Sequence, residues 1–393
     1  MSGTSGLAGA TARAPGYANK AGKKYFQGTH RTRAPEVTWR WISEILPRVG
    51  VTRVADVTSL DRLGIPVWQA IRPASRNLTV SQGKALSATG ARVSAAMESI
   101  ELWHAESLDR VPQIALSLRE MESGNSIDSD AFHWRADSRL LEAARIPWLR
   151  AKSLTRDRYG WLPRQMFELD FTLPSSFAPR MFHLSSNGLA SGNCLEEALL
   201  HALCELIERH AIYLARNEKR KRTTLSEESI DSDYCRDLIE RMRHAGMKLA
   251  LYDVTWEVDV PCVVADLVAS DLPNVWGGWG CHTSAEVALS RALTEAAQSR
   301  LTYISGARDD LHPFRERDNL SKTFHAFSEP AAERRFADLP ARSTASVGED
   351  LQSVIESLEQ LGYEPYYVDL SRDEIGVPVV FAFVPGLRDA PYA

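Results

Sequence analysis

The chain has 393 residues, of which 44% are hydrophobic and 25% charged, a composition typical of a globular protein. A formal net charge of −5 and a sequence pI near 6.1 argue against a nucleic-acid-binding protein. No apolar run reaches the roughly 20 residues that a membrane span needs. The five cysteines include no C-x-x-C pair, which argues against a disulfide framework or a zinc site and fits a cytosolic location.

The beginning of the chain predicts a tail. Residues 1–17 are rich in Gly, Ser, Thr and Ala and lack the apolar core of a signal peptide. We expect a disordered tail over residues 1–24 and a single folded domain over residues 25–393.

A short motif recurs three times between stretches rich in Val, Leu, Ile and Tyr. It reads Asp-Val-Thr at residues 56–58 and 253–255 and Asp-Leu-Ser at residues 369–371, and a Pro follows in each case at Pro66, Pro261 and Pro378. The flanking stretches predict paired strands, and a helix-like segment ending near a Gly precedes each motif. Loops of this length suit hairpins. The sequence therefore predicts an α/β protein of repeated helix–strand–loop–strand units with mostly antiparallel sheets.

A second repeat lies in three Ala- and Leu-rich stretches without Pro, which predict helices. Each has an Ala, an acid seven residues later, and an acid or amide three residues beyond: Ala91, Glu98 and Glu101; Ala198, Glu205 and Glu208; Ala288, Glu295 and Gln298. Positions i and i+3 share one helix face, so three helices could aim five carboxylates and one amide at a common point. The carboxylates of such a cluster would repel one another and stay protonated unless divalent cations bound them. Protein-bound Mg²⁺ is usually coordinated by substrate phosphates as well as by carboxylates.

The alternative is three solvated helix faces, because Glu is a good helix former. Two features of the set argue against it. The acids have apolar neighbours, and a polar residue stands on the acid face four positions before the first acid of each helix: Ser94, His201 and Arg291.

Two segments before these helices could bind phosphate or nucleotide. Gly83 and Lys84 precede the first acidic helix, and a Gly–Lys step at a helix entrance suits an anion, although a surface turn is the plainer interpretation. The small residues 185–192 precede the second, followed by Asn193, which could cap the helix or bind a ligand. Arg209 stands beside Glu205 and Glu208 and could pair with them or clamp a phosphate.

A cysteine nucleophile is a further alternative. Cys281 and His282 follow a Gly- and Trp-rich stretch, but adjacent residues of an extended segment point to opposite faces. We therefore do not expect Cys281 to act as a nucleophile with His282 as its base.

Three segments together resemble the YcaO-domain family. SSNGLASGNCLEEALLHALCELIERHA (residues 185–211) resembles its signature, and GKALSATGARVSAAMESIE (83–101) and RALTEAAQSR (291–300) resemble its other two ATP-site helices, in order and spacing. The resemblance covers residues 25–393 and implies a YcaO-like catalytic domain. Residues 24–31 and the first Asp-Val-Thr segment further resemble the subgroup that works with TfuA.

The resemblance implies an ATP- and Mg²⁺-dependent enzyme that acts on peptide backbone amides. It implies nucleotide contacts from Lys84, Ser94, Asn193, Glu197, Arg209, Arg291 and Gln298, and magnesium-linked acids at Glu98, Glu101, Glu205, Glu208 and Glu295. Glu205, Glu208 and Arg291 are the residues we expect to be catalytic. The family's usual Gly and Thr are replaced by Ala85 and Cys194, which are also small.

We expect the γ-phosphoryl group of ATP to pass to the amide oxygen and make it a leaving group. A sulfide donor would then give a thioamide, whereas a neighbouring Cys, Ser or Thr of a ribosomal peptide precursor would give an azoline. The TfuA-type N-terminal half and the absence of a Pro-rich C-terminal segment favour the thioamide. A non-catalytic ATP-binding accessory protein is the third alternative. Expected partners are a peptide or protein substrate and a TfuA-type protein, and a homodimer is left open.

Overall fold

The computed structural model describes residues 22–388 apart from 123, 126, 136–141, 173–179, 219, 273, 309–326 and 328–329. Residues 1–21 of the predicted tail thus lie outside the described residues. Lys23, which we assigned to that tail, is fixed in the fold, because its ammonium lies 2.6 Å from the Asp350 carboxylate and both side chains are fully buried. The folded part therefore begins before the predicted boundary at residue 25.

The described chain is built from three similar units and one insertion. The first unit comprises α1 (Pro35–Ser43), β1 (Arg53–Asp56), β2 (Val67–Ile71), β3 (Val80–Lys84) and α2 (Ala88–Ala105). The insertion comprises β4 (Gln113–Leu116), α3 (Leu118–Glu122), β5 (Ile146–Ser153) and β6 (Tyr159–Pro163). It is followed by β7 (Leu189–Ser191), α4 (Leu195–Asn217) and β8 (Thr223–Thr224). The next unit comprises α5 (Asp233–His244), β9 (Lys248–Asp253), β10 (Cys262–Val268), β11 (Val275–Cys281) and α6 (Ala285–Ser305), and the chain continues with α7 (Val347–Gln360), β12 (Tyr366–Asp369) and β13 (Val379–Phe383).

The strands form three sheets with antiparallel ladders throughout. Their orders are β1-β2-β3, β11-β10-β9-β8 and β4-β5-β12-β13-β7, with β6 paired to β5. The third unit comprises α7, β12, β13, β7 and α4. The order of its elements in the chain is permuted, because α7, β12 and β13 come last although β13 pairs with β7, which leads into α4. Each unit ends in an edge strand that leads into an acidic helix: β3 into α2, β7 into α4 and β11 into α6. The predicted mostly antiparallel α/β architecture is confirmed.

The repeated Asp motif makes the same turn in all three units. The Asp carboxylate accepts a hydrogen bond from the backbone N–H two residues later, at 2.9 Å for Asp56, 2.8 Å for Asp253 and 2.9 Å for Asp369. The hydroxyl of that later residue accepts a hydrogen bond from the backbone N–H of the first residue of the next strand, at 3.0–3.1 Å in each unit. The motif thus closes the hairpins β1–β2, β9–β10 and β12–β13.

The Ala that opens each acidic repeat packs against a glycine of the preceding strand or loop. A Cβ added to Gly83 would lie 2.2 Å from Ala91 O, one on Gly280 would lie 2.0 Å from Ala288 O, and one on Gly192 would lie 2.6 Å from Ala198 N. Real Cβ atoms do not approach so closely, so each acidic helix lies against backbone that has no side chain. This close packing holds the three helices in fixed positions relative to the strand edges.

Hydrophobic clusters fill the space between helices and sheets. One joins α1 and α2 to the insertion and to β12 and β13, a second surrounds α4 and α7, and a third lies between α5, α6 and their sheet. Within the described ranges, no helix combines the length and apolar character that a membrane crossing requires.

Candidate active site

The three acidic helices meet at one cavity of about 920 Å³, which the edge strands β3, β7 and β11 also border. All twelve residues that the sequence analysis assigns to the site line this cavity: Lys84, Ser94, Glu98, Glu101, Asn193, Glu197, Glu205, Glu208, Arg209, Arg291, Glu295 and Gln298. His201, the polar residue of α4 on the acid face, lines it as well. The helices therefore converge, as the spacing of the acids predicts.

Backbone N–H groups hold three of the five carboxylates. Glu101 accepts from Ser191 N at 2.7 Å, Glu205 accepts from Gly188 N at 3.1 Å, and Glu98 accepts from the backbone of Gln82. The edge strands and the loop before β7 thus fix where these oxygen atoms lie.

The acid cluster carries the electrostatic cost that its crowding implies. Burial raises the pKa of Glu98 to about 7, and it raises the pKa of Glu101 to about 8 with a further contribution from the Glu98 charge. Burial likewise raises the pKa of Glu205, and it raises that of Glu208 with a contribution from the Glu295 charge. A site with this many raised carboxyl pKa values favours a bound cation at neutral pH.

Seven cationic side chains of the described residues line the cavity with the acids: Arg31, Arg33, Lys84, Arg209, Arg216, Arg291 and Arg308. Lys84 lies 2.7 Å from Glu295, and although burial alone would raise the Glu295 pKa, Lys84 and Arg209 lower it overall. Arg209 lies 3.5 Å from both Glu205 and Glu208. Arg291 forms no ion pair within the described part of the chain and instead lies 2.8 Å from His201 Nε2, and burial and Arg291 hold the His201 pKa well below its usual range.

Arg31, another of these cations, was missed by sequence reasoning. It lies in the N-terminal segment, lines the cavity, and faces the charges of Glu197, Arg291 and Glu101. Burial lowers its pKa, and no ion pair to it occurs among the described residues. The Gly-Thr-His-Arg run at residues 28–31 was part of the family resemblance, but nothing in its pattern indicates which side chain enters the site.

The N-terminal segment is tied to the start of α4. Thr32 Oγ1 donates to Glu197 Oε1 at 2.6 Å, while Asn193 Nδ2 donates to Glu197 Oε2 at 2.9 Å and Asn193 Oδ1 accepts from Thr38 at 2.7 Å. Arg31 and the Thr32 hydrogen bonds lower the Glu197 pKa against the effect of burial. Asn193 is not the helix cap, because Cys194 occupies that position.

Gly83 and Lys84 do not lie at a helix entrance, which corrects the sequence-based expectation. Both belong to strand β3, and Ser87 caps α2 through a hydrogen bond from Gly90 N. Lys84 is the last residue of the edge strand β3, and its ammonium lies 2.7 Å from Glu295. Gly83 is needed for the close approach of α2.

Cys281 and His282 do not form a nucleophile–base pair. Burial raises the Cys281 pKa well above its usual range, and its neighbours are the thiols of Cys204 and Cys262. His282 Nδ1 accepts from Ser284 N at 3.0 Å. A thiol that stays protonated at neutral pH is a poor nucleophile.

His282, His30 and Asp350 bring potential metal ligands within 4.8 Å of one another. The Asp350 carboxylate, however, already accepts from Lys23, Thr283 and Thr344 at 2.6–2.9 Å. Lys23 supplies the positive charge that this group needs. We therefore interpret the contact between Lys23 and Asp350 as an anchor for the N-terminal segment and not as a metal site.

The cavity residues fit Mg²⁺ and ATP. Carboxylate oxygens are the ligands that Mg²⁺ takes in proteins, and Lys84, Arg209, Arg291 and Arg31 supply charges for a phosphate chain. Gln82 lines the cavity, and its Nε2 is buried without a hydrogen-bond partner in the described structure. A bound ligand could accept a hydrogen bond from this amide. Glu98, Glu101, Glu205, Glu208 and Glu295 are the residues that would hold the metal.

Comparison with known proteins identifies the family. The family model described as YcaO cyclodehydratase, ATP- and Mg²⁺-binding, matches residues 82–388. An uncharacterized protein of Mycobacterium tuberculosis strain H37Rv is 38% identical over 375 residues, covering 92% of this chain and 83% of the relative. One of Methanothermobacter thermautotrophicus is 35% identical over 366 residues, covering 90% and 94%. One of Rhizobium leguminosarum bv. trifolii, named for its position in the tfuA 3′ region, is 34% identical over 377 residues, covering 91% and 88%.

Solved structures share the fold. YcaO from Methanopyrus kandleri bound with AMPPCP and Mg²⁺ aligns with a TM-score of 0.74 at 23% identity, covering 93% of this chain and 94% of that one. A heterocyclase in complex with substrate and cofactor aligns with a TM-score of 0.77 at 22% identity, and this chain, covered to 93%, spans 54% of it. The microcin synthetase McbBCD complex of E. coli with pro-MccB17 bound aligns at 0.58 and 16% identity, covering 84% and 86%. With this fold, the matching family model and a cavity of converging acids and cations, the chain belongs to the YcaO family, whose cofactors are ATP and Mg²⁺.

Proposed function

We propose that this protein phosphorylates the carbonyl oxygen of a peptide backbone amide and converts the amide into a thioamide, with a sulfide donor and a TfuA-type partner. The observation that carries the proposal is the cavity itself. It brings six carboxylates and seven cationic side chains of the described residues together, whereas burial raises the pKa of Cys281, the cysteine that lines it, well above its usual range. Such a site suits the positioning of ATP and two reactants better than covalent catalysis.

The proposed reaction balances without an enzyme nucleophile. Sulfide adds to the amide carbon, and the resulting oxyanion attacks the γ-phosphorus of ATP while ADP leaves. The phosphate then departs with the electron pair of the C–O bond, and loss of the sulfur proton leaves a C=S bond. Mg²⁺, when bound, neutralises phosphate charge.

The chain's own residues position and stabilise the reactants. Arg291, held by neutral His201, and Lys84, held by Glu295, would contact the phosphate chain. Glu205 and Glu208 would hold the metal beside Arg209, whose guanidinium lies 3.5 Å from both. Glu205, Glu208 and Arg291 are therefore the residues to which we assign the catalytic role, and Ser94, Asn193, Glu197 and Gln298 complete the proposed nucleotide site.

Two observations favour the thioamide over the azoline. The Rhizobium relative is named for a position next to tfuA, and the N-terminal segment that resembles the TfuA-associated subgroup contributes Arg31 to the cavity. A TfuA-type protein is therefore the proposed partner. We also propose a cytoplasmic location, where ATP and a peptide precursor would both be present, and a homodimer as the candidate assembly.

Mass spectrometry of a candidate peptide tests the proposal. The peptide is incubated with the protein, ATP, Mg²⁺, sulfide and the TfuA-type partner, and a control omits sulfide. Exchange of one oxygen for one sulfur, seen as the corresponding mass gain only when sulfide is present, is the expected result. Absence of ATP turnover that depends on added peptide would contradict the assignment and favour a non-catalytic accessory role.

The second candidate is an azoline-forming cyclodehydratase that acts on Cys, Ser or Thr of a ribosomal peptide precursor. The family model's description as a cyclodehydratase favours it. In the same assay it would give the loss of one water without added sulfide.

A further inference from the structure

The outer edge of β11 differs from the other two strand edges at the cavity. The N–H of His282 donates to Pro261 O at 3.2 Å just beyond the β10–β11 ladder. Because hydrogen-bonded pairs alternate along an antiparallel ladder, the even-numbered residues of β11 bond to β10. The backbone groups of Val275, Gly277, Trp279 and Cys281 therefore point to the outer edge, and these four residues line the cavity.

The corresponding edges of β3 and β7 are closed by the acids. By the same alternation, Gln82 in β3 and Ser191 in β7 point outward. Glu98 accepts from the backbone of Gln82, and Glu101 accepts from Ser191 N at 2.7 Å. The edges of these two strands are thus used to fix the metal-site carboxylates.

Most of the β11 edge has no such cover. Ser299 Oγ donates to Gly277 O at 3.0 Å, and Val275 N donates to Asn274 Oδ1 at 2.9 Å. Across the rest of the described structure, nothing hydrogen-bonds to Gly277 N, to the N–H and C=O of Trp279, or to Cys281 N. An open strand edge is a template for another strand, and proteins normally cover it.

We propose that an extended segment of the peptide substrate pairs with the outer edge of β11, so that the backbone to be modified is held by main-chain hydrogen bonds. This inference rests on the proposed function, in which the reacting group is a backbone amide. The edge offers donors and acceptors every second residue, which is the repeat of an extended chain. Pairing of this kind gives affinity with little dependence on side-chain identity.

The position of the edge relative to the acids explains its use. Val275, at one end, is 40% exposed, and Cys281, at the other, is 1% exposed, so the edge runs from solvent into the cavity. A paired segment directs alternate carbonyls away from β11, into the space that Glu205, Glu208 and Arg291 also line. Those alternate carbonyls are the ones available for phosphorylation. Trp279, with Arg216 5.4 Å from its ring, forms a side wall.

A random dodecapeptide library, presented by mRNA display to the full chain loaded with Mg²⁺ and AMPPCP, supplies the probe. Single backbone amides of a retained peptide are then N-methylated in turn. We expect affinity to fall roughly two- to tenfold at alternate positions, the cost of a typical hydrogen bond, and to change little between them. Losses without a two-residue period, or a library from which nothing is retained, would overturn the proposal.

Protein variants test the same contact from the other side. Gly277→Pro removes an outward N–H, which an edge strand tolerates, and should weaken the peptide by a similar factor. Gly277→Ala keeps the N–H and should retain most of the affinity, and Ala115→Pro places a proline at the edge of a different sheet as a control. Unchanged AMPPCP affinity and melting temperature show that each variant is folded.

Equal peptide binding by Gly277→Pro and the wild-type protein would refute the edge site, as would a dimer that this substitution dissociates, since β11 would then pair with a second copy. If Gly277→Pro does not fold, the N-methyl scan still decides. Failure of the proposed function is seen separately, because peptide binding is measured without sulfide or turnover.

Discussion

At the residue scale, the acids carry the largest electrostatic cost, because burial raises the pKa of four of them and neighbouring carboxylates add to this at Glu98, Glu101 and Glu208. Backbone N–H groups hold Glu98, Glu101 and Glu205, so these side chains cannot move apart to relieve the repulsion. A divalent cation relieves it, which ties the fold of the site to its cofactor.

Glu205→Gln or Glu208→Gln should therefore abolish ATP hydrolysis while leaving the fold intact, because the amide keeps the shape but loses the metal-binding charge. ATP turnover and a melting scan measure the two effects. Glu240→Gln, on the exposed face of α5, is the matched control. Full ATP turnover in either active-site variant would remove these acids from the metal site.

Arg31 gives the second prediction at this scale. If its guanidinium contacts the nucleotide, Arg31→Ala should weaken Mg²⁺-dependent ATP binding by about tenfold or more, the scale of a charge-assisted hydrogen bond. Arg40→Ala removes an exposed guanidinium of the same N-terminal region and should leave affinity unchanged. Calorimetry of ATP binding to both variants compares them, and equal affinities would leave Arg31 without a role in binding.

At the element scale, the repeat is a strand edge, a glycine contact and an acidic helix. The acid spacing and the Asp motifs could be predicted from sequence because both are local patterns. The contact of Thr32 with Glu197 could not, since the partners are 165 residues apart. Gly83–Lys84 was misassigned to a helix entrance because a Gly–Lys step fits a turn as well as an edge strand, and only the close approach of α2 distinguishes them.

A pair of neighbouring glycines tests whether close packing positions α6. A Cβ at Gly278 would lie 2.0 Å from Ala292 O, whereas one at Gly277 would lie 3.6 Å from its nearest neighbour, an ordinary contact. Gly278→Ala should destabilise the protein by roughly 1–3 kcal/mol, the cost of overpacking, and weaken ATP binding as α6 shifts. Denaturant unfolding measures the difference. Equal stability of Gly278→Ala and Gly277→Ala would show that α6 is not held by this contact.

At the scale of the whole molecule, the site exists only when three units separated along the chain come together. Lys84 and Glu295, 211 positions apart, form an ion pair there, and Arg291 meets His201 from 90 positions away. The folded chain alone presents these groups, so Mg²⁺ and ATP bind the native state and not the unfolded one. The nucleotide is therefore expected to stabilise the entire fold.

Two coupled measurements test this convergence. Mg²⁺ and ATP at a hundred times Kd should stabilise the protein by roughly 2.7 kcal/mol, seen as a higher melting temperature that is lost without Mg²⁺. Lys84→Ala and Arg291→Ala should each weaken ATP binding, and in the double variant the losses should not add, because both side chains would contact one phosphate chain. Additive losses together with no thermal shift would mean that the β3–α2 and β11–α6 units do not share one nucleotide.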